Sequence, residues 1–282
     1  MVEHRRFGNL LPHLVLLMGV VIVAFPVYMA IIASTQDNAV IANGQMSLTP
    51  GPYAIDNYWH TIVAGTGKTT REPVGGMMVN SMIMALGIAI GKIAISIISA
   101  YAIVFFSFPF RMTAFWIIFV TLMLPVEVRI YPTYKIASDL HMLDSYAGLI
   151  LPLIASATAT LLFRQFFMTV PKELVEASKI DGAGPIRFFK DTLLPLSVTN
   201  IAALFVILFI YGWNQYLWPL LITTRDDMQT IVIGIKKIID VHDALTEWQV
   251  AMATAVLAML PPVAIVLCMQ RLFVKGLIET EK

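Results

Sequence analysis

Between Pro171 and Pro195 the chain reads Glu176, Ala177, Ser178, Lys179, Ile180, Asp181, Gly182, Ala183, then Phe188 and Phe189. Carboxylates set among small residues suit contact with another surface rather than covalent chemistry. Ala177, Ser178 and Ala183 allow close approach, and Glu176 and Asp181 offer charge-assisted hydrogen bonds to a partner or to the segment's own helix ends. Phe188 adds an apolar anchor. Pro171 suits a first helical turn with Glu173 near its positive end, and Gly182 permits a sharp bend. Gly184 followed by Pro185 suits the start of a second short helix, so the spacing predicts helix, turn, helix. On an ordinary solvated face, the same residues would pair Glu176 with Lys179 three positions on.

A second set lies inside apolar runs. Lys92 stands near the middle of one, where a charge costs about 2.5–3.5 kcal/mol on insertion scales. It either faces a pathway or bonds to helix carbonyls or a buried partner in assembly. Tyr211, Trp213, Asn214, Gln215, Tyr216 and Trp218 combine hydrogen-bonding groups with rings. An interfacial aromatic belt accounts for Trp218 and Tyr216, while Tyr211, Trp213 and Asn214 stand as pathway candidates, Asn214 either lining it or bonding across helices. Arg164 lies close enough to a span end for its stem to reach headgroups. Glu127 and Arg129, two positions apart, do not share a helix face and read as partner contacts or loop anchors.

Catalytic constellations are missing from the sequence. There is no convergent nucleophile and base, and no G-x-x-x-x-G-K-[ST] phosphate loop. Cys268 is the single cysteine and lies in an apolar run, so this chain builds neither an intrachain disulfide nor a thiolate metal cluster. His242, with Asp243 and Glu247 nearby, lacks a second histidine at ligand spacing and is not read as a metal site.

The elements that must position these residues follow from composition. The 282 residues are 58% hydrophobic and 13% charged, against about 45–50% and about 25% in soluble domains, with mean hydropathy +0.79. That excludes a typical soluble enzyme and a disordered chain, and leaves an integral membrane protein. A net charge of +1 gives no basic field for nucleic acid. Runs of roughly 20 apolar residues predict six transmembrane helices: Leu10–Ala33, Gly76–Phe105, Met112–Val126, Tyr146–Met168, Leu196–Thr223 and Trp248–Phe273. The first follows His4, Arg5 and Arg6 but is too long for a signal-peptide core, so it reads as a retained helix.

Charge sets the orientation. With the N-terminus inside, the inner side holds Arg5, Arg6, Arg111, Lys172, Lys179, Arg187, Lys190, Arg271, Lys275 and Lys282. The outer side holds Lys68, Arg71, Arg129, Lys135, Arg225, Lys236 and Lys237, so both termini are expected in the cytoplasm. The long outer segment after the first span, with Thr49, Pro50, Gly51 and Pro52 and then Gly65, Thr66 and Gly67, is expected to form an ordered loop or small cap.

The run Glu176 to Ala183, continuing to Leu194, Pro195 and Leu196, resembles the cytoplasmic signature of the permease subunits of ATP-binding-cassette importers. That signature runs E-A-A-x-x-D-G-A with a later aromatic residue and Pro; Ser178 stands for the second alanine. Softer resemblances to the carbohydrate-uptake group are Ala100, Tyr101 and Ala102; Asn214 with Trp218 and Pro219; Leu124 to Arg129; Leu143 to Gly148; and Ala155 to Gln165. They are similar to the branch of that group that imports sn-glycerol-3-phosphate.

The resemblance implies an all-α integral membrane fold of the type I, MetI-like permease kind, with six spans and a cytoplasmic coupling-helix segment at 171–195. It divides the chain into a cytoplasmic N-terminus (1–9), a first span (10–33), an extracytoplasmic loop (34–75), a permease core (76–273) and a cytoplasmic C-terminus (274–282). It also implies an inner-membrane transport subunit without its own ATPase site. Its partners would be a second permease subunit, an ATPase dimer that binds ATP and Mg, an extracytoplasmic substrate-binding protein and membrane lipid. The segment around Glu176 to Ala183 would couple ATP to movement, and substrate would pass between the two permease subunits. By position Arg225, Asp226 and Asp227 would meet the binding protein, although a solvated acidic loop reads the same. Within the class, a sugar or oligosaccharide importer fits the coupling signature equally. Outside it stands a self-sufficient secondary transporter or channel, whose paired intramembrane charges would be expected in several spans.

Overall fold

The computed structural model describes residues 10–64, 72–240 and 246–279. His4, Arg5, Arg6, Gly65, Thr66, Gly67, Lys68, Arg71, His242, Asp243 and Lys282 lie outside the described residues, as do the side chains of Glu127, Arg271, Phe273 and Lys275. All regular elements among the described residues are helical. In chain order they are α1 (Leu10–Ser34), α2 (Asn38–Ala42), α3 (Ala54–Trp59), α4 (Val74–Phe105), α5 (Arg111–Val120), α6 (Val126–Asp139), α7 (Tyr146–Ile150), α8 (Ala157–Thr169), α9 (Lys172–Ile180), α10 (Pro185–Phe188), α11 (Leu194–Leu196), α12 (Val198–Trp213), α13 (Leu217–Ile222), α14 (Ile231–Ile239) and α15 (Trp248–Glu279).

Uninterrupted apolar runs gave long helices. Pro12–Ser34, Val74–Phe105 and Trp248–Gln270 are each long and apolar enough to cross a membrane. Two bent helix pairs are apolar enough to be further candidates: Tyr146–Leu153 with Ala157–Thr169 at 49°, and Pro185–Leu196 with Val198–Trp213 at 71°. The expected span Met112–Val126 is instead the shorter helix α5 followed by a 3-10 turn, Thr121–Met123. Leu124 is extended because the Pro125 ring disfavours a helical residue before it, and α6 starts afresh at Val126. The expected span Leu196–Thr223 is likewise discontinuous: α12 ends at Trp213, Asn214 is its C-cap, and α13 begins at Leu217. By length and composition this makes three to five spans with one shorter apolar helix, rather than six continuous ones.

The chain divides into two compact units. One comprises residues 1–77 and 234–260. Its loop after α1 is ordered by two side-chain amides. Gln36 Nε2 donates to the Ser47 carbonyl at 2.9 Å and the Thr49 carbonyl at 3.0 Å. Asn57 Nδ2 donates to the carbonyls of Ser34 at 2.9 Å and Gln36 at 3.0 Å. The Trp248 N–H donates to Asn38 Oδ1 at 3.0 Å, tying α2 to the start of α15.

The other unit comprises residues 78–233 and 261–282. Met84 and Ile88 of α4, Ala137 of α6, Leu149 of α7, Trp218 and Ile222 of α13, and Met228 form its core cluster. Gly212 lets α12 cross α4 closely, since a Cβ there would stand 2.9 Å from the Ala85 Cα. Small residues are what permit such approach between apolar helices.

Candidate functional site

The segment from Lys172 to Leu193 is rigid because its turn satisfies its own backbone. At the end of α9 the Ala183 N–H donates to the Ser178 carbonyl at 2.8 Å and the Gly182 N–H to the Lys179 carbonyl at 3.1 Å. Gly182 has φ +74°, so this is a Schellman closure with glycine in the left-handed position. Pro185 opens α10 at its first turn, and the Ser178 hydroxyl donates to the Val175 carbonyl at 2.8 Å. Glu176, Asp181 and Lys179 are exposed, and among the described residues no ion pair joins Glu176 to Lys179. Ile180 and Ile186, 85% and 84% exposed, form apolar tips on either side of the turn. A hollow of about 300 Å³ lies between the arms, with Ala177, Ser178, Asp181, Ala183 and Phe188 among its lining residues.

Phe188 does not face outward. It is 5% exposed and packs within its own chain, so it anchors the segment rather than presenting an apolar contact to another protein. Its ring lies 5.5 Å from Phe105 and 6.5 Å from Tyr101, and Phe189 lies 5.0 Å from Tyr101. Phe105 lies 5.9 Å from Phe167 of α8. The Tyr101 hydroxyl donates to the Pro185 carbonyl at 2.8 Å. This aromatic bracket fixes the segment to the end of α4 and to α8, and no spacing rule connects Tyr101 to a carbonyl far along the chain.

Midway along α4, Lys92 is 7% exposed, with Nζ 3.8 Å from the centroid of the Tyr211 ring. A cation over an aromatic face recovers part of the cost of burial. Both border a cleft of about 170 Å³ with Arg129 and Thr133 of α6 and Gln215 and Trp218 of the α12–α13 region. Trp213 and Asn214 are not in this cleft. Trp213 is buried and stacks on Phe209 at 5.9 Å, and Asn214 is exposed at the helix end. Arg164 sits with Cζ 4.2 Å above the Phe115 ring, so it packs on α5 instead of only reaching past the helix end.

At the other end of α4 the polar groups are engaged internally. Asn80 Nδ2 donates to the carbonyls of Asp227 at 2.8 Å and Gln229 at 2.9 Å, and its Oδ1 accepts from the Tyr146 hydroxyl at 2.7 Å. Ser81 Oγ accepts the Ile231 N–H at 2.8 Å. Asp144 accepts from the Thr224 N–H at 2.5 Å, the Thr224 hydroxyl at 2.6 Å and the Arg225 N–H at 2.9 Å. Burial would raise the Asp144 carboxyl, but the Thr224 hydroxyl, the two amides and the Arg225 charge outweigh it and hold it below the usual carboxylate range. Arg225 pairs with Asp227, and Asp226 Oδ1 accepts from Gln229 Nε2 at 2.6 Å. The loop holding Arg225, Asp226 and Asp227 is therefore held in one shape. Asn80 and Asp144, which do the holding, carry no sequence signal beyond a lone amide near the start of an apolar run and a carboxylate before a helix.

The family described as binding-protein-dependent transport system inner membrane component matches residues 77–279. The chain is 58% identical to the "sn-glycerol-3-phosphate transport system permease protein UgpE" of Agrobacterium fabrum, over 100% of both chains. The proteins of the same name from Brucella melitensis biotype 1 and Yersinia pestis bv. Antiqua are 57% and 54% identical over the same full lengths. Among solved structures, a chain from the "crystal structure of a bacterial ABC transporter involved in the import of the acidic polysaccharide alginate" has the same fold. The TM-score is 0.82 at 17% identity, covering 96% of this chain and 98% of that one.

Proposed function

The chain belongs to the family of binding-protein-dependent transport system inner membrane components, and we propose that it is the permease subunit of an importer of sn-glycerol-3-phosphate and related glycerophosphodiesters. The observation that carries this reading is identity of 54–58% along the entire length of relatives bearing that name. It forms half of the pathway with a second permease subunit. A separate ATPase dimer binds ATP and Mg, and an extracytoplasmic binding protein delivers substrate. The membrane domain has six crossings: three continuous helices, the bent pair of α7 and α8, α12 with α13, and α5 with its following turn. Both termini and the segment 171–195 are cytoplasmic, and the loop 34–75 is extracytoplasmic.

On this reading the charged rim of Glu176 and Asp181, the Gly182 turn with Ala177, Ser178 and Ala183, and the tips of Ile180 and Ile186 fit a groove on the ATPase. Closure of the ATPase dimer on ATP displaces the segment. Phe188 and Tyr101 pass that displacement to α4 and α8, because a packed aromatic cluster shifts as a unit rather than yielding locally. The loop of Arg225, Asp226 and Asp227 meets the binding protein, and Lys92, Tyr211, Trp213 and Asn214 belong to the pathway region.

The test is energy-dependent uptake of labelled sn-glycerol-3-phosphate in cells with or without this chain, the partner subunits being present in both. Uptake that requires the chain and is competed by unlabelled glycerophosphodiesters, not by maltose, is the expected result. Uptake independent of the chain, with the complex assembled, would overturn the substrate and leave the sugar importer.

A further inference from the structure

Resting on that reading, we infer that Lys92 and Arg129 form a binding site for a phosphate monoester within the membrane domain. Lys92 lies about 27 Å along α4 from its first residue and about 20 Å from its last, at 1.5 Å per residue. Burying an ammonium at that depth is costly unless it is matched. Tyr211 supplies a ring face, but among the described residues no carboxylate and no carbonyl bonds to Lys92. The second charge bordering the cleft is another cation, Arg129. Two like charges facing one small cavity repel, so the arrangement is least favourable when the cavity is empty and most favourable with an anion between them. A lysine retained only for assembly would instead be expected to face a carboxylate or a helix carbonyl.

The remaining walls restrict what the anion can be. Gln215 Nε2 donates to the Tyr211 carbonyl at 3.1 Å, leaving Oε1 to accept from an ester hydroxyl. Leu153 supplies an apolar wall. The volume of about 170 Å³ lies below the roughly 300–1,000 Å³ of sites for drug-sized ligands. It suits a phosphate carrying a few carbons rather than an oligosaccharide. Arg129 contributes the planar fork that grips phosphate oxygens in pairs, and Lys92 a point charge beneath it.

The test uses the assembled complex with its binding protein and ATPase, reconstituted in phosphatidylcholine vesicles with and without phosphatidylglycerol. Initial uptake of labelled sn-glycerol-3-phosphate is measured for Lys92→Gln, Arg129→Gln and Arg129→Lys. Each neutral variant should lose at least about tenfold in uptake, the scale of one charge-assisted contact. Arg129→Lys, which keeps the charge but loses the fork, should recover part of it, and anionic lipid should make no difference. Arg129 is exposed, so its variants test the site even where Lys92→Gln fails to assemble. Arg129→Gln within about twofold of the unsubstituted complex would overturn the site, as would Arg129→Lys being equally impaired. A defect confined to vesicles with phosphatidylglycerol would assign the cations to lipid headgroups. No uptake by the unsubstituted complex would instead overturn the substrate reading, and this inference with it.

Discussion

The turn after α9 and the turn after α6 close with the same pair of backbone bonds. After α6 the Met142 N–H donates to the Ala137 carbonyl and the His141 N–H to the Ser138 carbonyl, both at 2.9 Å, as Ala183 and Gly182 do after α9. Beyond the backbone the two regions differ. The turn after α9 has glycine in the left-handed position and leaves Glu176, Asp181, Ile180 and Ile186 at the surface. The turn after α6 has His141 there at φ 55°, followed by Asp144 at φ 52°, whose carboxylate is taken up by Thr224 and Arg225. A region whose polar groups are spent on its own chain serves as a frame. One that leaves them free on a rigid backbone is fitted to bind something else.

The comparison breaks most sharply at Gly182. Gly182→Pro cannot reach φ +74° and loses the bond to the Lys179 carbonyl, a local cost of about 3 kcal/mol or more. Combined with Glu176→Lys it should leave insertion intact, as read by membrane fractionation, and abolish uptake. Normal transport by that double variant would refute the coupling role. Phe188→Ala removes the anchor for about 3 kcal/mol and should leave ATP hydrolysis running with little uptake. Parallel loss of both would mean that the ring serves folding alone.

At the frame, Asp144→Asn should lower stability by at most about 1 kcal/mol near neutral pH, solvent screening the partly exposed carboxylate, measured by thermal unfolding of the purified complex. The sign with pH follows from the lowered carboxyl. A group depressed in the folded state contributes fully above its unfolded value of 3.8 and loses that contribution as pH falls through the lower folded value. The wild type should therefore lose this increment in acid and the variant should not. The smallest effects compare the two left-handed positions directly. Gly182→Ala should cost about 1 kcal/mol and His141→Gly should gain about 0.5 kcal/mol, read as opposite shifts of the unfolding midpoint. A gain at Gly182 would show that the turn does not hold the segment's shape.

Much of the segment from Lys172 to Leu193 is readable from its residues because its geometry is local. Pro171, Gly182 and Pro185 act on the backbone within a few positions of themselves, and α9, the turn and α10 fall where they direct. Phe188 misleads because an aromatic residue on a short helix has the same sequence signature whether it points outward or inward. Its burial depends on Tyr101 and Phe105, which nothing local links to it. The burial of Trp213 is equally non-local: its stack on Phe209 is a matter of which face of α12 meets the core.

Composition alone placed the chain in a membrane, since so few charged residues cannot cover a water-facing surface, and unbroken apolar runs fixed α1, α4 and α15. The bends at Leu153 to Ala157 and at Leu196 to Val198, and the stop at Leu124, needed the folded chain, because proline and capping residues permit a break without deciding its angle. The cleft was decided by tertiary structure altogether. Lys92 can be picked out as a costly charge, but Arg129 and Tyr211 reach it only through packing of α4, α6 and α12. Side chains that far apart in sequence acquire a shared electrostatic environment only when close packing excludes water between them.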